Sequence, residues 1–343
     1  MTQGAKGAEA AKGDEARAET DRSLLLHGIF RKVLLGTLLG VLVFAALSAY
    51  ADVRALGEGM GRYDFRAFGL ALLLATGNYA IRFLRWHYYL GVVRIPVPRL
   101  ESLLVFVAGF IMSVTPGKLG EVFKSVLLHE SRGAPMERTA PIVIAERLTD
   151  LFALVLLVAL GALVLEQGLP IALLGGAAVL LAWAAAAYRP FGQRILELLA
   201  RLPLLRRIAP RLAQAYEALR ELVAPAPLAL GTGLALLGWA LECAALYVLV
   251  RGFEGLSLGP LEAAFAYAAP TVAGALAMLP GGLGVTEAGM TGALRSLGGP
   301  LMTPSAATLI TVLVRLATLW WAVLLGALGL LALRRRRAAS GAE

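Results

Sequence analysis

The chain has 343 residues, of which 59% are hydrophobic and only 16% charged, where a soluble domain carries roughly a quarter. Its formal net charge is +9, but the basic residues flank apolar blocks and build no large solvated face, which argues against nucleic-acid binding. Cys243 is the single cysteine, so an internal disulfide and a cysteine-based metal cluster are excluded, and His27, His87 and His129 form no ligand motif. Neither a metal nor a cofactor is expected.

Residues 1–22 are rich in Ala, Gly, Glu and Lys without an apolar run, the composition of a disordered tail, expected on the cytoplasmic side. The next stretch, 23–66, holds a first apolar block and a short periplasmic loop. That block is too long for the apolar core of a signal peptide and reads as a retained helix. A helix rising about 1.5 Å per residue needs roughly 20 residues to cross about 30 Å of hydrocarbon. Six spans are predicted on that criterion, near 31–52, 67–93, 139–165, 169–188, 227–250 and 304–333. Arg31 and Lys32 precede the first, and Arg334, Arg335, Arg336 and Arg337 follow the last, within a basic tail, 334–343. Further arginines crowd the long loop after the fourth span, whereas the opposite side holds few, which places both termini and that loop in the cytoplasm of a bacterial inner membrane. The segment 166–226 thus combines a connecting span with a basic loop. Leucines and isoleucines recur in 190–222 at roughly helical spacing between arginines, a pattern for lying on an anionic leaflet or for a solvated connector, with Pro203 and Pro210 breaking it.

Two apolar regions, 100–128 and 258–298, do not read as single spans. Each has an apolar arm, a Pro-Gly break and a second arm. The arm 101–114 would reach only about 21 Å at about 1.5 Å per residue. Crossing once in each region would move the arginine-rich loop outside, so both are expected to be re-entrant hairpins, the first entering from the cytoplasm and the second from the periplasm. Backbone broken at membrane depth must be buried in protein or line a wet cavity, because lipid cannot satisfy its amides.

The two regions also resemble each other. Thr115-Pro116-Gly117-Lys118-Leu119-Gly120-Glu121 aligns with Leu279-Pro280-Gly281-Gly282-Leu283-Gly284, followed by Glu287. Upstream, Pro98-Arg99-Leu100-Glu101 parallels Pro260-Leu261-Glu262; downstream, Arg147-Leu148-Thr149-Asp150 parallels Arg315-Leu316-Ala317-Thr318. Ordered matches at offsets of roughly 160 to 170 residues argue for duplication. With the topology above, 67–165 and 227–333 form inverted units, the plan on which transporters place a substrate site at the repeat interface. The expected fold is therefore an all-α polytopic membrane protein, six spanning helices plus two re-entrant helical hairpins arranged as an inverted repeat.

Arg85-Trp86, the Thr115–Glu121 motif, Glu146-Arg147-Leu148-Thr149-Asp150 and the run from Leu279 to Glu287 resemble the lysylphosphatidylglycerol synthase transmembrane (flippase-like) family over about 30 to 330. In the two-part proteins of that family, the membrane domain is associated with translocating aminoacylated phosphatidylglycerol and a separate soluble domain performs aminoacyl transfer. The resemblance implies a stand-alone member without the synthase domain, hence a lipid translocator and not an enzyme, with membrane lipids (an anionic or aminoacylated phospholipid, or a polyprenyl phosphate) as partners. It leaves lipid identity and oligomeric state open. A polyprenyl-phosphate-linked transferase and a non-transporting anchor for a biosynthetic enzyme are the alternatives.

Ionisable residues at membrane depth are costly and face bundle interiors. The candidates for substrate contact are Arg82, Arg85, Lys118, Glu121, Arg147, Asp150, Glu242, Glu287 and Arg315, with Pro116, Gly117, Gly120, Pro280, Gly281, Gly282 and Gly284 as the hairpin breaks. Lys118 and Glu121 at a helix start suit a phosphate, unless Lys118 snorkels to headgroups. Arg315 has no acidic neighbour in its own helix, and Glu287 is a candidate partner. Arg82 and Arg85 share one helix face, beside Trp86, Tyr88 and Tyr89; an interfacial anchor fits them as well as a headgroup site. Glu242, isolated in an apolar span, is expected to pair with an arginine. No nucleophile–base pair is evident, so no catalytic residue is assigned.

Overall fold

The computed structural model describes residues 61, 63–115, 121–163, 165, 168–187 and 209–340, and among them all regular structure is helical. The predicted first span, the tail 1–22, the hairpin-break residues Pro116, Gly117 and Gly120, Lys118, and the part of the basic loop at 188–208 lie outside the described residues.

The helices follow the apolar blocks. They are α1 (Phe65–Val92), α2 (Arg99–Gly109, extended by a 3-10 turn Phe110–Met112), α3 (Phe123–Arg132), α4 (Met136–Ala162), α5 (Gly168–Ala187), α6 (Ala209–Leu222), α7 (Pro225–Arg251), α8 (Pro260–Leu276), α9 (Val285–Leu297), α10 (Pro304–Arg315) and α11 (Trp321–Ser340). Residues Leu316–Trp320 join α10 to α11 through a π-helical turn directly after Arg315. Three helices among the described residues are long and apolar enough to cross a membrane: α1, α7 and the continuous rod from Pro304 to Arg336. Helix α4 matches them in length, with Glu146, Arg147 and Asp150 at its middle.

Small residues let α1 and α7 pack antiparallel along their whole length. Gly252 lies against the Tyr63 ring, Gly238 against Asn78 and Gly77 against Leu241, leaving no room for a Cβ at the first two. Close approach through glycine is how helices associate where water gives no hydrophobic drive.

Each of the two regions folds as a pair of antiparallel helices, α2 with α3 and α8 with α9. In the first, the Arg132 guanidinium donates to Glu101 at 2.6 Å near the base, and the Lys124 stem packs on Gly109 nearer the tip, so α2 and α3 run antiparallel. In the second, Gly274 faces Gly282 and Thr286, and Pro270 faces Gly289, so α8 and α9 do the same. The 17 residues of α8 reach about 25 Å, short of a hydrocarbon core. The bases sit at opposite ends of α1. The first follows its C-terminal end through 93–98, whereas Gly252 and Phe253, shortly before α8, touch Tyr63 and Asp64 at its N-terminal end. The tips meet between those ends, where Val114, Leu283 and Leu319 pack together.

At the first hairpin's end stand Arg94, Arg99, Arg132 and Arg138, joined by Arg334, Arg335 and Arg336 because α11 packs along α2 from Ile111 back to Val107. Arg66, Arg251 and Arg295 mark the other end. Helix α6, the described part of the basic loop, does not stand free. Its Ala218 and Leu222 enter the core, and Glu221 meets Arg138 of α4 at 3.6 Å. Pro210 falls in its first turn, where a missing N–H costs nothing.

Candidate functional site

Helix α1 supplies one polar stripe. Asn78, Arg82, Arg85 and Tyr89 recur every three or four residues, which on a helix puts them on one face. All are buried, Arg85 completely. The interfacial-anchor reading of Arg82 and Arg85 is therefore wrong: the rings that resembled a headgroup belt, Trp86 and Tyr89, are core residues with no exposure.

Opposite that stripe, α3 and α4 complete a cluster of charges. Arg85 Nη2 lies 2.8 Å from Asp150, and its Nη1 donates to Thr149 Oγ1 at 3.0 Å. Arg147 bridges Asp150 and Glu121, 3.0 Å from each. Lys124 donates to Glu146 at 2.6 Å and stands 3.8 Å from Glu121, its ammonium 4.4 Å above the Trp86 ring. Arg82 approaches Glu121 at 3.5 Å. Among the described residues, four cations share three carboxylates (Glu121, Glu146, Asp150), an excess of one positive charge. Arg147 is its exposed member, with 26% of its side chain accessible.

The second hairpin uses its backbone instead. After Pro280, Gly281, Gly282 and Gly284 take φ of 60°, 69° and 90°, a region an L side chain enters only with strain, and this is why the break needs glycine. Glu287 caps α9 by accepting from the Gly284 amide at 2.6 Å, while its other oxygen meets Arg315 Nε at 2.6 Å. Arg315 also donates to the Gly281 carbonyl at 2.7 Å. One arginine on α10 thus clamps the tip through a carboxylate and a peptide oxygen.

Glu242 departs from expectation. It accepts hydrogen bonds from Asn78 Nδ2 and the Tyr267 hydroxyl, and no arginine or lysine among the described residues lies within ion-pair distance. Beside it, the Tyr79 hydroxyl donates to the Thr318 carbonyl in the π-helical turn.

These groups surround a cavity of about 300 Å³ between α1, α4, α7, the second hairpin and α10. Its polar wall carries Arg82, Arg147, Asp150, Glu242, Tyr267 and Arg315. Its mouth is apolar: Leu151, Leu276, Met278 and Leu279 line it and are exposed on the surface, Leu276 to 72%. The cavity brings Arg82, Arg147, Asp150, Glu242 and Arg315 together; Arg85, Glu121 and Glu287 stand behind it and hold its lining residues. Three residues of this machinery escaped the sequence reading. Lys124 follows Glu121 by one helical step, Asn78 precedes Arg82 by one, and Tyr267 is a polar-tipped ring in an alanine-rich helix; each spacing was the available signal. Among the described residues no group of His, Cys, Asp and Glu is arranged to hold a metal ion.

The chain matches the family model described as the lysylphosphatidylglycerol synthase TM region over residues 33–326 and belongs to that family. Comparison with curated proteins returns no match.

Proposed function

We propose that this member of the lysylphosphatidylglycerol synthase TM-region family moves a lipid with an anionic headgroup between the leaflets of the bacterial cytoplasmic membrane. An anionic or aminoacylated phospholipid, or a polyprenyl phosphate, is the substrate class. One observation carries the reading: a charged, buried wall faces a cavity whose mouth is made of exposed leucines and methionine. A headgroup enters such a space while its acyl chains stay in lipid at the mouth. Arg82, buried in the wall, and Arg147, the exposed member of the cluster, are the phosphate ligands in this reading, each able to form a charge-assisted pair with a phosphate oxygen. The protein does no covalent chemistry of its own.

The same reading makes both hairpins re-entrant and the two halves an inverted repeat, entering from opposite faces with tips at mid-depth. Exposed arginines at the first hairpin's end support a cytoplasmic location for that end and, in this reading, for both termini. Arg94→Cys and Glu254→Cys should react with an impermeant maleimide from opposite sides of the membrane; labelling from one side rejects the topology.

Translocation is tested in liposomes by following a fluorescent short-chain phosphatidylglycerol and a polyprenyl phosphate from one leaflet to the other. Wild-type protein should speed exchange above the protein-free rate, and Arg147→Gln should reduce it about tenfold or more, the loss of one charge-assisted contact, with unfolding midpoint little changed. Protein-free rates with every anionic lipid tried would reject the function.

A further inference from the structure

Among the described residues, four of the five buried carboxylates around the cavity have a cation close at hand. Glu121 has Arg147 at 3.0 Å, Glu146 has Lys124 at 2.6 Å, Asp150 has Arg85 at 2.8 Å and Glu287 has Arg315 at 2.6 Å. Protonating any of these would take a short ion-pair partner from an arginine or lysine. Glu242 is the exception. It is 5% exposed, lines the cavity, and is held by two neutral donors, Asn78 and Tyr267.

We propose that Glu242 is a proton-binding site whose occupancy is linked to that of an anion in the cavity, so that lipid and proton move together. The inference rests on the translocator reading and adds its coupling ion. Two features carry it. The first is hydrogen bonding that suits both protonation states. As a carboxylate, Glu242 accepts from Asn78 Nδ2 and from the Tyr267 hydroxyl. Once protonated, it still accepts from Asn78 and donates to Tyr267, because a phenol both donates and accepts. The Tyr267 proton then turns to the Thr318 hydroxyl, which lies beside it and itself donates to the Val314 carbonyl. No group is left unpaired in either state, and no cation loses its partner.

The second feature is placement. The charged and titratable groups facing Glu242 across the cavity are Tyr79 and Arg82 from α1, Arg147 and Asp150 from α4, Tyr267 from α8 and Arg315 from α10. Cys243 neighbours it on α7 itself. Asp150 is bound by two arginines and Arg315 by Glu287, so the negative charge free to change is that of Glu242. An anion drawn in by Arg82 and Arg147 shares this enclosed space with the carboxylate and is repelled by it. Binding of the anion therefore favours the protonated form, and reciprocity requires that the proton favour the anion by the same factor. A carboxylate in the wall of an anion site is otherwise a liability; coupling gives it a use.

The test measures proton uptake directly. Short-chain phosphatidylglycerol is the probe, because its phosphodiester has no second ionisation near neutrality. Calorimetric titration of the full chain in zwitterionic nanodiscs, repeated in buffers of different ionisation enthalpy, should show uptake approaching one proton per lipid bound. Affinity should fall by up to about tenfold per pH unit on the alkaline side of the transition. Glu242→Gln, whose amide keeps one acceptor for Asn78 and one donor for Tyr267, should bind the probe without proton uptake and with no slope against pH. In liposomes, an imposed pH gradient should drive net lipid movement with wild type and leave Glu242→Gln unaffected. Gradient-independent flux in wild type, equal proton uptake in both proteins, or a folded Glu242→Gln that fails to bind would each overturn the coupling while leaving translocation standing. Absence of both binding and flux would overturn the translocator reading and the coupling with it.

Discussion

The two hairpins share a Pro-Gly break and meet tip to tip at Val114 and Leu283, yet they are held by different means. The first is held by side chains: Glu121 and Lys124 enter a cluster in which Glu121 faces three cations and Lys124 two carboxylates. The second is held by its backbone, through one arginine that reaches Glu287 and the Gly281 carbonyl. A shared cluster is redundant, since any single loss leaves most members a second partner. A single clamp is not. The break with the least backup belongs to the hairpin whose own residues form the mouth of the cavity, Leu276, Met278 and Leu279. Among the described residues the first hairpin thus rests on a shared electrostatic platform and the second on one clamp.

The largest effect should therefore come from Arg315→Met. It strips the tip of its clamp and leaves Glu287, with no exposure, without its cation. Breaking a buried pair by removing one partner costs about 3–5 kcal/mol, readable as a lowered unfolding midpoint in detergent, and lipid flux should disappear. Gly284→Ala attacks the same tip through the backbone: at φ 90° and ψ −61° a Cβ forces strain worth about 1–3 kcal/mol. Glu121→Gln should cost less, about 1–2 kcal/mol, because Arg147 keeps Asp150 and Lys124 keeps Glu146. If Glu121→Gln destabilises as much as Arg315→Met, the contrast between platform and clamp is wrong.

Much of this fold was legible before any coordinates. Apolar blocks located α1, α4, α7 and the α10–α11 rod to within a few residues, because length and hydropathy alone decide what can span. The second break was legible too, since Pro280 and its glycines permit little else, and Arg315, with no acid in its own helix, pointed to an acid elsewhere or to a bound anion. What escaped was partnership. Periodicity tells which face of α1 carries Asn78, Arg82 and Arg85, not which helix that face meets. Asn78 and Glu242 are 164 positions apart, and nothing in a linear pattern joins an amide to that carboxylate in preference to an arginine. Trp86 misled for a related reason. A tryptophan beside arginine and tyrosines has the composition of an interfacial belt, and only the fold reveals that the charge above its ring is the buried Lys124.

The smallest effect sharpens the comparison from the other side, since it concerns a pair as close as any in the cluster. At the base of the first hairpin, Arg132 donates to Glu101 through Nε at 2.9 Å and Nη2 at 2.6 Å. The second distance equals that from Lys124, on the same hairpin, to Glu146 of α4. Arg132 is 44% exposed, however, so water and salt already satisfy and screen both ions. Glu101→Gln should leave the unfolding midpoint within replicate scatter at moderate salt and lipid exchange at the wild-type rate. Lys124→Met, on the opposite side of the burial divide, should lower the midpoint by many times that scatter. A large, salt-sensitive loss from Glu101→Gln would mean that hairpin closure is set at its base, and that the buried cluster is an anion-binding surface more than a structural anchor.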